Sequence, residues 1–239
     1  MLIKHLVEVL GYSRRRVADL IKNSQVIVND EMATSFSQVV SDKDAITVSG
    51  KTIRLNSHGG CVTLAMNKPK GILSATEDKR EKTVLDILPP QYKNIGLFPA
   101  GRLDKDSTGL IILTNDGDLA YELTHPSFEH EKEYYVACSR PLTNIEKEKL
   151  ENGVNIYESG LTSPAKVKKL HIGDLPYNYS VTIHEGKKRQ IRRMFASISN
   201  PVQELKRVRI SNLMLPEELA FGQFYVVDGS TLKLKQGRK

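Results

Sequence analysis

Long apolar runs and cysteines are scarce in this sequence. No uninterrupted apolar run approaches the roughly 18 residues that a membrane helix needs, so no membrane span is predicted. Lys4, His5 and Glu8 interrupt the N-terminal segment, which therefore does not resemble the apolar core of a secretory signal. The two cysteines, Cys61 and Cys138, lie far apart and match no metal-ligand spacing, which argues against a disulfide framework and a cysteine-bound metal. Together these absences predict a cytoplasmic protein.

Internal repeats and low-complexity tracts are also missing. Hydrophobic residues make up 39% of the chain and charged residues 26%, which are ordinary values for a soluble globular protein. At 239 residues the chain is long enough for one large domain, or for a medium-sized domain and a small one.

Positive charge is abundant, and most of it is concentrated in one segment. The net charge is +7 and the sequence pI is about 9.3. The segment from His184 to Arg209 contains eight basic and two acidic residues, which gives it a net charge of +6. The basic residues are Lys187, Lys188, Arg189, Arg192, Arg193, Lys206, Arg207 and Arg209. A local positive field favours binding to phosphate groups, and a solvated basic surface is the alternative.

Residues 1–56 predict a small α+β module. Apolar residues recur at helical spacing, and Ser13 is a suitable N-cap for the second helix. The first turn of that helix contains Arg14, Arg15 and Arg16. Cations at a helix N-terminus oppose the helix dipole, which makes sense if they bind an external phosphate; a plain exposed helix start is the alternative. Short β-branched runs follow, and residues 57–60 predict a linker.

Residues 61–239 predict a larger domain in which strands outnumber helices. The strands do not alternate strictly with the helices. A mixed, mostly antiparallel sheet flanked by helices is therefore favoured over a doubly wound parallel sheet. One helix is predicted at 83–89, and another begins with a capping box formed by Thr143 and Glu146. The predicted fold class is α+β in both parts.

An acidic cluster interrupts the basic chain. Its four members are Asp104, Asp106, Asp116 and Asp118. Asp104 and Asp106 stand at the first and third positions of a calcium-binding loop pattern, followed by Gly109 and Ile111. However, Asn115 stands where that loop needs a glutamate, and the flanks are predicted as strands, which argues against calcium. Asp106 and Asp116 are explained as turn residues, and Asp118 as a cap of the helix that follows.

Asp104 differs from the other three in its surroundings. Arg102 and Lys105 flank it, and the apolar segment "IGLFPA" leads into it. A carboxylate at a largely apolar edge with a cation nearby can stay ionised despite partial desolvation. An ionised carboxylate can act as a nucleophile or as a base. No Ser-His-Asp, Cys-His or metal constellation competes with it, so Asp104 is the candidate catalytic residue.

Four segments of the chain, in order, carry a family resemblance. They are "LAMNKPKGILS", "GRLDKDSTGLIILTNDG", "EKEYYV" and "EGKKRQIRRMFASISNPVQELKRVRI". Together they resemble the motifs of pseudouridine synthases of the small-ribosomal-subunit type and the related large-subunit type. The leading segment "GYSRRRVADLIKNSQVIVND" is similar to a small RNA-binding fold first described in a ribosomal protein. The resemblance covers nearly the whole chain.

The resemblance implies an enzyme that breaks the bond from ribose to the uracil nitrogen in ribosomal RNA and rejoins the sugar to carbon 5. It implies no cofactor and no metal. Asp104 would be the catalytic carboxylate, Arg192 would pair with it, and Tyr134 would stack on a uracil that leaves the helical stack. The other implied substrate contacts are Lys68, Arg102, Arg189, Ile191 and Arg193. In the N-terminal module the implied RNA contacts are Arg14, Arg15 and Arg16.

Several alternatives stay open at this point. Tyr134 is equally explained as a core aromatic residue, and Arg192 as one of several phosphate contacts. Arg102 either fills the gap left by the flipped base or forms a structural ion pair. The ribosomal RNA partner is either free or part of an assembling subunit, and a monomer without membrane contact is expected.

The last of the four motifs, the basic one, is closer to the large-subunit branch of the family, which favours large-subunit RNA over the small-subunit alternative. A non-catalytic RNA-binding assembly factor would use the same fold, but it should lack Asp104 or Tyr134, and both are present. A DNA-binding protein would use the helix after Ser13 for recognition, and this would leave three quarters of the chain unexplained.

Overall fold

The computed structural model describes residues 2–10, 14–41, 44–53, 61–93, 95–157, 159–171, 176–228 and 232. Within these ranges the chain forms two separate β-sheets. The first sheet lies in the part predicted as the small module, and the second lies in the part predicted as the larger domain. The predicted cap Ser13 and the predicted linker at 57–60 lie outside the described residues.

The N-terminal part packs two helices on a four-stranded sheet with the order β2-β1-β3-β4. Its elements are α1 (Leu2–Leu10), α2 (Arg14–Lys22), β1 (Val26–Val28), β2 (Glu31–Met32), β3 (Ile46–Val48) and β4 (Lys51–Ile53). All pairs are antiparallel. Leu2, Leu6, Val17 and Ile21 are buried from the helices against the valines of β1, as their helical spacing predicts.

The second sheet has nine strands, and its central order is β13-β5-β7-β11-β8-β10-β9. The strands are β5 (Thr63–Lys68), β6 (Phe98–Ala100), β7 (Thr108–Thr114), β8 (Lys132–Cys138), β9 (Lys166–Lys169), β10 (Tyr179–Ile183), β11 (Val202–Ile210), β12 (Leu213–Met214) and β13 (Phe224–Val226). β6 pairs with β7, and β12 pairs with β11. Only the β7–β11 pair among the described strands is parallel. The expected mixed, mostly antiparallel α+β fold is confirmed.

Three helices accompany this sheet: α3 (Gly117–Thr124), α4 (Asn144–Asn152) and α5 (Gln190–Ser197). Short 3-10 helices lie at Pro90–Tyr92 and Pro126–Phe128. β7 is buried along its whole length. Because successive strand residues point to opposite faces, Ile111 and Leu113 join one core cluster, while Leu110 and Ile112 join another. α5 packs in the first cluster and α3 in the second.

The helix caps follow the predictions in one case and differ in the other. Thr143 and Glu146 form the predicted capping box of α4. At α3, however, the cap is Asp116, whose carboxylate accepts from the backbone N–H groups of Asp118 and Leu119. Asp118, the predicted cap, lies inside the helix. Asp116 takes the role because its backbone is extended, as an N-cap requires, and because Gly117 already begins the helix.

The prediction of a helix at residues 83–89 is wrong. This segment forms turns, and it is followed by the 3-10 helix that begins at Pro90. Thr83 and Asp86 exchange side-chain and backbone hydrogen bonds that open a single turn. Pro89 cannot donate the next helical hydrogen bond and would clash with the preceding turn, so the helix does not extend. None of the described helices is both long and apolar enough to cross a membrane.

Candidate active site

The loop from residue 101 to residue 107 joins β6 to β7 and is called the site loop below. Its turn is closed by the Ser107 N–H, which donates to the Asp104 carbonyl at 3.0 Å. Leu103 is buried, and the Ser74 hydroxyl holds it on both sides by accepting from its N–H at 3.0 Å and donating to its carbonyl at 2.9 Å. The side chain of Asp104, between these anchors, is 31% exposed. The backbone of Asp104 is thus fixed while its carboxylate is accessible.

Two carboxylates of the site loop lie against the N-terminal end of α5. Arg189 donates from Nη1 and Nη2 to the two carboxylate oxygens of Asp106, each at 3.1 Å. The same Nη1 lies 3.7 Å from Oδ2 of Asp104. Nη2 of Arg192 lies 3.3 Å from Oδ2 of Asp106. This bidentate contact from Arg189 fixes the orientation of the Asp106 carboxylate.

The pairing of these charges differs from the one that the family resemblance implied. Arg192 was expected to pair with Asp104. Within the described ranges, the ion pair of Asp104 is with Arg189, and that of Arg192 is with Asp106. The reason is that Arg192 also donates to the backbone carbonyls of Val202 and Asp106, each at 3.1 Å. These contacts leave its side chain 11% exposed and tie the site loop to β11.

The sequence of α5 explains why arginines meet the site loop. Ile191, Met194 and Phe195 are buried in the core. Residues three and four apart share a helix face, so burial of this apolar stripe leaves Arg189 and Arg192 together on another. Arg189 caps the helix with a left-handed backbone, at a φ of 53°. The partial positive charge of the helix N-terminus adds to the attraction for the carboxylates.

Asp106 is held in its charged form. Partial burial alone would raise the pKa of its carboxyl. The hydrogen bonds from Arg189 and the charges of Arg192 and Arg189 outweigh that effect and hold the pKa below its ordinary value. In the site loop, therefore, two arginines bind the Asp106 carboxylate, whereas the Asp104 carboxylate forms one longer ion pair among the described residues.

Lys68 lies beneath the site loop at the end of β5 and is fully buried. Its ammonium group donates to the carbonyl of Ser107 at 2.8 Å and to that of Pro69 at 2.9 Å. Burial lowers its pKa to about 8; the charges of Asp106 and Asp104 oppose that shift, and the charge of Arg207 adds to it. Lys68 thus supports the loop from below instead of facing solvent.

Tyr134 is 8% exposed and lies directly opposite Arg207 across the β8–β11 pair. Its ring belongs to the core cluster that also contains Leu103 and Ile191. Leu103 directly precedes Asp104, and Ile191 directly precedes Arg192. Tyr134 therefore shares a core cluster with residues that anchor the site loop and α5. The arrangement fits both a core aromatic and a residue that a bound base reaches.

The other predicted contacts are distributed around this centre. Arg102 is exposed, and Arg193 donates to the Ser159 hydroxyl at 3.1 Å. The three arginines of the N-terminal part, Arg14, Arg15 and Arg16, are exposed in the first turn of α2. Sequence reasoning did not single out Ser74 or Arg207. For Arg207 a signal existed, because its alternation with the apolar Leu205 places both on the inward face of β11.

Among the residues that the structure describes, no three histidine, cysteine, aspartate or glutamate side chains are grouped so as to hold a metal ion.

With this geometry in place, comparison with known proteins assigns the family. The model of the RNA pseudouridylate synthase family matches residues 62–197, a range that includes the site loop, Tyr134 and the arginines of α5. The chain belongs to the RNA pseudouridylate synthase family. A solved structure described as a pseudouridylate synthase superposes with a TM-score of 0.70 at 30% identity, covering 98% of this chain and 99% of that one.

Curated members of the family are similar over most of the chain. An uncharacterized RNA pseudouridine synthase, YtzG, of Bacillus subtilis is 37% identical over 90% of this chain and 89% of its own. Ribosomal large subunit pseudouridine synthase B of the same organism is 38% identical over 85% and 82%. Ribosomal small subunit pseudouridine synthase A of Yersinia pestis is 35% identical over 92% of both. Similarity thus extends to synthases named for either ribosomal subunit.

Proposed function

We propose that this synthase isomerises a uridine of ribosomal RNA to pseudouridine, with Asp104 as the catalytic carboxylate. The observation that carries the proposal is the placement of Asp104. Its side chain is 31% exposed and 3.7 Å from Arg189, whereas Asp106 beside it is engaged by two arginines. The reaction breaks the bond between ribose and N1 of uracil, forms one between the sugar and C5, and releases the C5 hydrogen.

The neighbours of Asp104 have supporting roles. Arg189 and the buried ammonium group of Lys68 place positive charge close to the Asp104 carboxylate. Tyr134 stacks on the uracil after the nucleotide leaves its helical stack, and Ile191 adds an apolar wall to the pocket. Arg192 acts through the site loop, because its contacts are with Asp106 and Val202.

Two regions bind the RNA around the target nucleotide. Residues 1–56 form an RNA-binding module whose exposed arginines contact phosphates, residues 57–60 form the linker, and residues 61–239 form the catalytic domain. In the catalytic domain, Arg193 holds the backbone beside the target, and the exposed Arg102 fills the gap that the flipped base leaves. These contacts offset the few kcal/mol, roughly, that unstacking a base costs. No cofactor takes part in this proposal.

Ribosomal RNA is proposed as the substrate because similar synthases carry the names of the two ribosomal subunits. Large-subunit RNA is the first choice, on the form of the basic motif "KKRQIRRMFA". Small-subunit RNA is the alternative, and the experiment below measures activity on both RNAs.

The test is tritium release from large- and small-subunit transcripts labelled at C5 of uracil. The wild type should release tritium from one of them. Asp104→Asn should release none, although its RNA affinity and urea unfolding midpoint should match those of the wild type. Asp118→Asn, which removes a carboxylate of the same acidic cluster on α3, should be as active as the wild type.

Three results would count against the proposal. Activity in Asp104→Asn would remove this residue from the chemistry. Equal losses in Asp104→Asn and Asp118→Asn would point to a structural role of the cluster. Tight binding of both transcripts and of assembling subunits, without release from any of them, would favour a non-catalytic RNA-binding factor.

A further inference from the structure

We propose that Arg207 is a positioning residue for the reaction, because its buried guanidinium group holds the two backbone segments that flank Asp104. The inference rests on the proposed catalytic role of Asp104. Arg207 is 3% exposed and therefore cannot contact RNA in this structure. Its effect on the reaction must act through the groups that it binds.

The path of β11 explains how an arginine comes to lie under the site loop. β7 and β11 run parallel, with Arg207 beside Gly109. A Cβ atom on Gly109 would lie 2.1 Å from the Arg207 carbonyl oxygen, so only glycine permits this approach. Arg207 also lies opposite Tyr134 on the neighbouring β8. Directly opposed residues of paired strands share a face of the sheet, so Arg207 extends from the face that carries Tyr134.

The hydrogen bonds of Arg207 reach both sides of the site loop. Nε donates to the carbonyl of Leu110 at 2.7 Å, on the C-terminal side of Asp104. Nη1 donates to the carbonyl of Arg102 at 3.5 Å, a longer contact on the N-terminal side. Lys68 holds the Ser107 carbonyl between these points. Two buried cations thus hold three backbone carbonyls around the partly exposed carboxylate of Asp104.

Charge distinguishes Arg207 from an ordinary structural arginine. Across the described ranges it forms no ion pair with a carboxylate, and its Nη2 is buried without a hydrogen-bond partner. Burial lowers the pKa values of Lys68 and Lys132, and the charge of Arg207 adds to both shifts. A buried unpaired charge costs stability, and an apolar side chain of the same size would pack there at lower cost. The benefit of the guanidinium group therefore lies in the placement of the loop.

Arg209 provides a matched control on the same strand. It is a half-buried arginine that pairs with Glu131 and Glu133, at 3.1 Å and 2.9 Å. Among the described residues, its hydrogen bonds and ion pairs are with Glu131, Glu133 and Ser211, outside the site loop. Glu133 lies one residue from Tyr134, on the opposite face of β8. The pairing register of β11 with β8 shifts between Arg207 and Arg209, so Arg207 lies opposite Tyr134 and Arg209 opposite Glu133, on the other face. Arg207→Lys and Arg209→Lys therefore make the same chemical change on the two faces of one strand.

The experiment measures single-turnover tritium release and RNA affinity for the full-length chain. Arg207→Lys should release tritium about 10-fold to 100-fold more slowly, because a small displacement of a catalytic group has effects of that order. Its RNA dissociation constant should stay within about twofold of the wild type, since Arg207 is shielded from RNA. Arg209→Lys should be within about threefold of the wild type in both quantities.

The pH profile supplies a readout that a merely structural role would not change. An arginine stays charged at all working pH values, whereas a buried lysine has a lowered pKa. The groups around position 207 that also carry charge or titrate are Lys68, Lys132, Tyr134, Asp104 and Asp106, and all of them are the same in both proteins. Arg207→Lys should therefore lose activity at a lower pH than the wild type does. Arg207→Met, which keeps the volume and removes the charge, should be slow at every pH.

If a variant is less stable than the wild type, hydrogen exchange still distinguishes a local effect on the site loop from general destabilisation. In Arg207→Lys, peptides covering residues 101–110 should exchange faster than in the wild type, while those of α4 should not change. The proposal is overturned if Arg207→Lys turns over as fast as Arg209→Lys, if its rate falls only in step with RNA affinity, or if exchange rises equally everywhere. An inactive wild type or an active Asp104→Asn would instead refute the proposed function.

Discussion

Replacing Lys68 with methionine should change how the stability of the protein depends on pH. Lys68 is fully buried, and burial lowers its pKa from an ordinary 10.5 to about 8. Between these two values the unfolded chain holds a proton that the folded chain has released. Raising the pH through this window therefore favours the folded state. The buried lysine costs stability below about pH 8 and ceases to do so above about pH 10.5.

The size of the effect follows from the shift. A difference of about 2.5 pKa units corresponds to about 3 kcal/mol of destabilisation at neutral pH, and linkage returns about 2 kcal/mol of it between about pH 8 and pH 10. Lys68→Met removes this dependence. It also leaves the carbonyls of Ser107 and Pro69 without their donor, at a cost of about 1 kcal/mol or more each. That second cost does not vary with pH.

Urea unfolding followed by circular dichroism at several pH values measures both contributions. The free energy of unfolding of the wild type should rise relative to that of Lys68→Met by about 2 kcal/mol from pH 8 to pH 10. Other groups with shifted pKa values, such as Lys132 and Tyr177, are present in both proteins and cancel in the difference. Lys147→Met on α4, where the side chain is 44% exposed, should give a curve parallel to that of the wild type.

Parallel curves for the wild type and Lys68→Met would refute the reasoning. They would mean that the folded protein does not release a proton from Lys68 in this range, and hence that the ammonium group is not desolvated. A rise in the opposite direction would mean that the charges of Asp104 and Asp106 outweigh burial at this position.

Two further predictions concern stability. Gly109→Ala should lower the free energy of unfolding by about 3 kcal/mol or more, because a Cβ would meet the Arg207 carbonyl oxygen at 2.1 Å and the φ of 101° is strained for alanine. Gly117→Ala should change it by less than about 1 kcal/mol, because a Cβ there would meet no atom within 4 Å beyond its chain neighbours and its own helix backbone. Equal effects of the two substitutions would mean that β7 and β11 are not so close. Asp116→Ala should cost about 1 kcal/mol in thermal or urea unfolding through loss of the α3 cap, and an equal loss in Asp118→Ala would show that the cap is assigned to the wrong aspartate.

Where elements depend on nearby residues, the sequence predicted them well. The continuous apolar run at 110–113 indicated β7, and the Thr143–Glu146 spacing indicated the start of α4. The helix prediction at 83–89 was wrong for a reason that is also local. The apolar residues there have helical spacing, but Thr83 opens a turn and Pro89 prevents the helix from continuing. At α3 the sequence indicated a cap within a short stretch but selected the wrong aspartate.

The site was predicted in part. Asp104 was selected from its flanking residues and from the family resemblance, and the structure places it accessibly on a fixed loop. The contact between Arg189 and Asp106 joins residues 83 positions apart, and nothing local distinguishes Arg189 from the other arginines of the basic segment. Ser74 resembles any loop serine in the sequence, yet it anchors Leu103 from 29 residues away.

By itself, the sequence determined the α+β class, the positions of most strands and the concentrated positive charge, because these follow from composition and from the periodicity of neighbouring residues. Asp104 was predicted as the catalytic residue from its flanking residues and from the family resemblance. Only the tertiary structure decided which cations lie beside which carboxylates and which basic residues are buried. The parallel approach of β11 to β7 brings Arg207 onto a carbonyl 97 residues earlier in the chain. Side chains of one chemical type acquire different roles there, because burial and distance, on which electrostatic interactions depend, are set by packing between distant segments.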